Sequence, residues 1–128
     1  MSAVIEFHDS KFLSLDVHGG TVTVRIAAVV HRSDGQPGKD AGSVWQQEVE
    51  IVVLDSAAPE RPLQPHNLSD GTLSVGSASF VNVVPLPFQC DGEVLLELVA
   101  EEKTIVVSGT AISVRGVGEA RYVEEFPG

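Results

Sequence analysis

The sequence predicts an all-β chain of about eight to nine mainly antiparallel strands in a two-sheet sandwich, with an open or flattened β-barrel as the alternative. Three observations predict it. Apolar and polar residues alternate with period two over most of the chain, and Val, Ile and Thr are abundant in the alternating runs. No stretch of ten residues sets its apolar positions at helical spacing. One proline-rich stretch divides the strand-like runs into two groups, which suits a crossing from one sheet to another. With 128 residues the chain is read as a single all-β domain, 1-128, long enough to bury roughly two-thirds of its unfolded surface.

The first element pair is "KFLSLDVHGGTVTVRIAAVVH". A two-residue primed turn at Gly19 and Gly20 sets His18 against Thr21, then Val17 against Val22, Leu15 against Val24 and Leu13 against Ile26. All six apolar side chains then share one face, while Ser14, Asp16, Thr23 and Arg25 take the other. The second pair joins "TVTVRIAAVVH" to "VWQQEVEIVVLD". Setting Val30 against Trp45 brings Ile26 to Val49, Val24 to Ile51 and Val22 to Val53 on the same core face. Arg25 then meets Glu50 across the strands on the outer face, an exposed pair worth a few tenths of a kcal/mol at about its best.

Next comes "SAAPERPLQPHNLSDG", whose prolines at 59, 62 and 65 lack amide donors and mark a connector. The second half resumes with "TLSV", "ASFVNVVPLPF", "EVLLELVAEE" and "KTIVVSGTAISVR". Folding the last two together through Glu101 to Lys103 sets Leu98 against Val107, Leu96 against Gly109 and Val94 against Ala111. Gly109 then marks a bend or bulge inside its strand. Val29, Val52, Leu54, Leu95 and Val99 fall on the outer face. Strands apolar on both faces are covered on both, here by the connector, by the tail "GEARYVEEF" or by a second copy, so a homodimer is expected.

Eighteen acidic residues against eight basic ones give a net charge of -10, which repels nucleic acid and anionic lipid. No apolar run approaches the ~18 residues of a spanning helix, and Cys90 is the lone cysteine, so a cytoplasmic location without disulfides is expected. The four histidines at 8, 18, 31 and 66 are too far apart in sequence for a paired-ligand motif, and no metal or cofactor is expected. The insert after Arg32 lacks calcium-loop spacing: counting from Asp34, a glutamate should stand where Trp45 does. "GSASF" lacks the second glycine of a nucleophile elbow, and Asp91 beside Cys90 disfavours a thiolate.

What remains is the rim of that insert. His31, Arg32, Asp34 and Trp45 sit where a flexible polar loop meets rigid strands, which is where binding residues are commonly placed. The Trp45 indole also has the size to plug an open core end. The missing catalytic motifs and the two-sided strands favour a non-enzymatic protein-interaction module acting through an exposed sheet face or edge. The alternative is a small-molecule binding protein or enzyme with its site at the open end near His31, Arg32 and Trp45.

Overall fold

The computed structural model describes residues 1–56, 64–101 and 103–128. Ten strands occupy them. These are β1 (Ser2–His18), β2 (Thr21–Ser33), β3 (Gly42–Leu54), β4 (His66–Asn67), β5 (Asp70–Val75), β6 (Ala78–Val81), β7 (Val83–Pro85), β8 (Phe88–Ala100), β9 (Lys103–Gly116) and β10 (Arg121–Phe126). All belong to one antiparallel sheet in the order β4-β1-β2-β3-β9-β8-β5-β6, with β7 on β1 and β10 on β3. The sheet is curled into a half-barrel. Of the two arrangements open to the sequence, this is the open barrel: every strand is joined to one hydrogen-bonded ladder, and the strong coil of so wide a sheet lets its inner face make a core without a second sheet.

The first three strands follow the alternation closely. Gly19 and Gly20 both have positive φ, 57° and 81°, the backbone of a type I′ turn, and His18↔Thr21, Val17↔Val22 and Leu15↔Val24 pair as the turn requires. Beyond that the ladder slips. Phe12, not Leu13, faces Ile26, because an irregularity between Phe12 and Ser14 puts one extra residue in β1. The bulge turns Phe12 inward, where it is fully buried, and Leu13 outward. The β2–β3 register agrees with the sequence at Val22↔Val53, Val24↔Ile51, Ile26↔Val49 and Val30↔Trp45. Arg25 does meet Glu50, but not as an exposed pair. Arg25 and, from β9, Arg115 hold its two carboxylate oxygens at 3.2 and 3.1 Å, and Glu50 is 8 % exposed.

A larger irregularity sits higher in β1. Glu6 pairs with Val29 and Lys11 with Ala27, so Phe7 to Ser10 bulge away from β2. Ser10 repairs the break: its buried hydroxyl donates to the Glu6 carbonyl and accepts from Val29 N–H at 3.0 Å. The bulged segment bonds to the second half of the chain instead. Phe7 N–H donates to the Asn82 carbonyl, Asp9 N–H to Leu68, and β7 pairs with Val4 to Glu6. Gly71 makes this approach possible, since a Cβ there would lie 2.6 Å from the Phe7 ring. Phe7 and Phe12 thus join Ile5, Val24, Ile51, Leu73, Leu96 and Ile112 in one core, each large side chain contributing roughly 1.5–3 kcal/mol on burial.

In the second half Leu98 pairs with Ile105, Leu96 with Val107 and Val94 with Gly109, two positions away from the register expected through a turn at Glu101 to Lys103. The cause is a tighter turn: Ala100 already pairs with Lys103, and Glu101 takes positive φ, 54°. A shift of two keeps the same face inward, so the core assignment survives. The bulge lies not at Gly109 but opposite it in β8, between Asp91 and Val94. Pro59 and Pro62 of the connector lie outside the described residues. The tail is itself a strand, β10, laid along the first half of β3.

Candidate functional site

Alternation along β2 and β3 separates the four rim residues. Val30 and Trp45 form one cross-strand pair on the inner side, and Arg32 folds over the indole, its guanidinium carbon 4.4 Å from the ring centroid. Trp45 Nε1 donates to Ser43 Oγ at 2.8 Å, and Tyr122 of β10 meets the indole edge-on at 5.4 Å. The stack caps the core end, as the size of Trp45 suggests. His31, one residue before Arg32, points to the outer face with Glu6 and Val29. Asp34 is exposed and shares a cleft of about 410 Å³ with Arg32, Met1, Ser43, Glu125 and Phe126. His31 and the edge of Trp45 belong to a different one.

That second cleft, about 430 Å³, is a trough across β2 and β3 walled by β1 on one side and β10 on the other. Bulges raise both walls. On β1 the irregularity lifts Asp9 beside Glu6; on β10 the ladder skips Val123 between Tyr122↔Trp45 and Glu124↔Val44, so Val123 and Glu124 both face the trough. Val29, His31, Val44 and Gln46 make the floor, and Phe126 closes one end. His31 Nε2 lies 2.9 Å from Glu6 Oε2, and Asn82 Nδ2 donates to Glu6 Oε1 at 3.3 Å. Phe126 meets the imidazole edge-on at 5.1 Å, and Gly38 lies against its other atoms. His31 is 8 % exposed, and among the described residues its Nδ1 has no hydrogen-bond partner.

The insert is more ordered than a flexible loop. Ser33 Oγ donates to the Ala41 carbonyl and accepts from Gly35 N–H, while the Asp40 carboxylate accepts from Gln36 N–H at 2.7 Å. Lys39 and Asp40 N–H both donate to the Gln36 carbonyl. The loop is thereby folded back until Gly38 reaches His31. Its polar residues hold the loop itself, which is a structural use of side chains the sequence offers as ligands.

Among the described residues two groups are shifted from their ordinary pKa values. A hydrogen bond to the Ser69 carbonyl, with the Asp9 charge second, raises His8 above 6.5. Tyr122 donates to Glu125 Oε1 at 2.8 Å, which raises its phenol. Among the described residues no three His, Cys, Asp or Glu side chains gather as a metal site, and no helix is long and apolar enough to cross a membrane.

Sequence reasoning reached His31 and Trp45 but missed Glu6, Asn82, Glu124 and Phe126. The alternation in "VIEFH" does carry one signal, since it turns Glu6 outward between Ile5 and Phe7. The others arrive through long-range contacts of β1 with the second half and through β10, which no local pattern reports. No protein-family model matches the chain, and neither the curated proteins nor the solved structures contain a significant match to it.

Proposed function

We propose that this chain is a non-enzymatic protein-interaction module of the cytoplasm that binds an extended segment of another protein through the outer sheet face and the edge of β10. One observation carries the reading. Every residue of β10 from Arg121 to Glu125 is exposed, and among the described residues β10 pairs only with β3, so its far edge offers unpaired backbone groups. Such an edge is a template for strand addition. Tyr122 and Val123, 52 % and 55 % exposed, supply apolar contact beside it. The lone thiol, Cys90, fits a reducing compartment.

Selection of displayed extended peptides against the chain tests this, with binding mapped by amide chemical shifts. Peptides that perturb residues 121–126 and lose affinity on Val123→Pro support the reading. Selected peptides that map away from β10, or none above background, overturn it. The second reading, a small-molecule site at this end of the sheet, draws on the unpartnered Nδ1 of His31. It is favoured instead if low-molecular-weight compounds shift the imidazole signals while no peptide binds.

A further inference from the structure

We infer that the outer face of β5, β8 and β9 docks a basic amphipathic helix of a partner protein. This rests on the reading of the chain as an interaction module and adds a second surface to it, away from β10. The face is apolar around one carboxylate. Glu97 pairs with Val106 of β9 on one side and with Thr72 of β5 on the other, and alternation sets Leu95 and Val99 on the same face, two residues before and after it. Val81 of β6 continues the row beyond Thr72. Leu95, Val106 and Val81 are exposed. Glu97 is half-buried and has no hydrogen-bond or ion-pair partner among the described residues.

The form of the occupant follows from the backbone. Every residue of β8 from Val94 to Val99 pairs with β5 on one side and with β9 on the other. No strand can add there, and an occupant that meets only side chains must satisfy its own amides. An amphipathic helix does so while laying an apolar stripe on the valines and Leu95. Its turns are about 5.4 Å apart, close to the ~4.8 Å between neighbouring strands. Successive turns therefore meet successive strands of the row Val81, Thr72, Glu97 and Val106.

Charge decides between partners. β5, β6 and β8 contain Asp70, Asp91, Glu93 and Glu97 and no lysine or arginine. In β9 the cations Lys103 and Arg115 stand near the two ends, and Arg115 is held by Glu50. A groove of about 470 Å³ beside Leu95 is lined by Asp55 and Glu93, by the hydroxyls of Ser74, Ser108 and Thr110, and by no lysine or arginine. A second copy would bring the same acids and its own -10 against this face and is repelled at low salt. Lysines or arginines flanking the stripe of a helix meet Glu97 and the groove instead, and their stems extend the apolar cover.

The test is made at low ionic strength with three capped peptides of about 15 residues each. The first has leucines at helical spacing between lysines, the second has glutamate for every lysine, and the third has the composition of the first with leucine and lysine alternating at strand period. Binding is mapped on the full chain by amide chemical shifts. The basic helix should move the amides of residues 94–99 and 104–108 and bind there more tightly than either other peptide by about tenfold or more. Glu97→Gln should weaken it by about threefold to fivefold and Val106→Ser by about fivefold, while Glu125→Gln and Val123→Pro, both on β10, should leave it unchanged. A chain already dimeric at low salt and made monomeric by Val106→Glu would put a second copy on this face and overturn the inference. It is equally overturned by shifts that follow β10 or scatter over the surface, by equal binding of either other peptide at these residues, by affinity indifferent to both Glu97→Gln and Val106→Ser, or by no binding of the basic helix. Binding on this face with no selected peptide on β10 would keep this surface and overturn the edge reading, and the reverse pattern would keep the edge alone.

Discussion

Ser10 shows how much a single buried hydroxyl can hold. It stands in for a missing rung of the β1–β2 ladder, bonded to Glu6 carbonyl and Val29 N–H. Ser10→Ala strands two backbone groups away from water and should cost about 1–3 kcal/mol, read from urea unfolding; a change near zero would mean that water replaces the hydroxyl. His8 makes a pH-dependent contribution of opposite character, at the surface. Its folded pKa is raised by the Ser69 carbonyl and Asp9. The charged form therefore stabilises the fold fully below its unfolded value, and this is lost as pH rises through the higher folded value. His8→Asn should lower the melting temperature slightly below about pH 6 and have no effect above about pH 8. Two melting series settle the sign. At this scale the sequence was partly legible. His31 and Trp45 stand out by their place at a loop rim, but Ser10 and Glu6 acquire their roles from a bulge, and a bulge is one extra residue hidden inside an otherwise regular alternation.

Among elements, the hairpins were the most readable. A glycine pair fixes the first, and a two-faced pattern fixes the β2–β3 register across an intervening loop, because any odd slip would turn Val24, Ile26 and Val49 to solvent. Slips of two escape that control, which is why β8 and β9 pair two positions from expectation. The tail escaped for another reason: "RYVEEF" buries nothing in the core, so its hydrophobic pattern is silent and only the edge of β3 defines its place. A chain ending at Ala120 should accordingly remain folded. Its far-ultraviolet spectrum should keep the sheet signal, its melting temperature should fall by about 3–6 °C, and Trp45 emission should shift to the red as Tyr122 leaves. Global unfolding on truncation would show that β10 is integral to the barrel.

The molecule as a whole presents apolar area away from β10. Val81, Val106, Leu54 and Leu95 are 70, 47, 45 and 40 % exposed on the outer side of the sheet, an extension of the two-sided character visible in the sequence. The prediction of self-association follows, opposed by a charge of -10, so the average mass from light scattering should rise above 13.6 kDa as salt screens repulsion. Val106→Glu should hold it at the monomer value, and a mass independent of salt would end the dimer. Strand order itself was not legible, since the closing contacts of Phe7 with Gly71 and Asn82 join residues far apart in sequence, and alternation describes neighbours only.

The trough has one further property. Glu6 comes from the first strand and Glu124 and Phe126 from the last, so no contiguous fragment of the chain contains it and no loop graft can transfer it to another scaffold. Yet Met1 and Pro127 line one and the same cleft, which places the two termini side by side. A circular permutant that joins them through a short glycine linker and opens the chain at the exposed Gly76–Ser77 turn should fold to the same sheet and retain the His31 resonances of the parent.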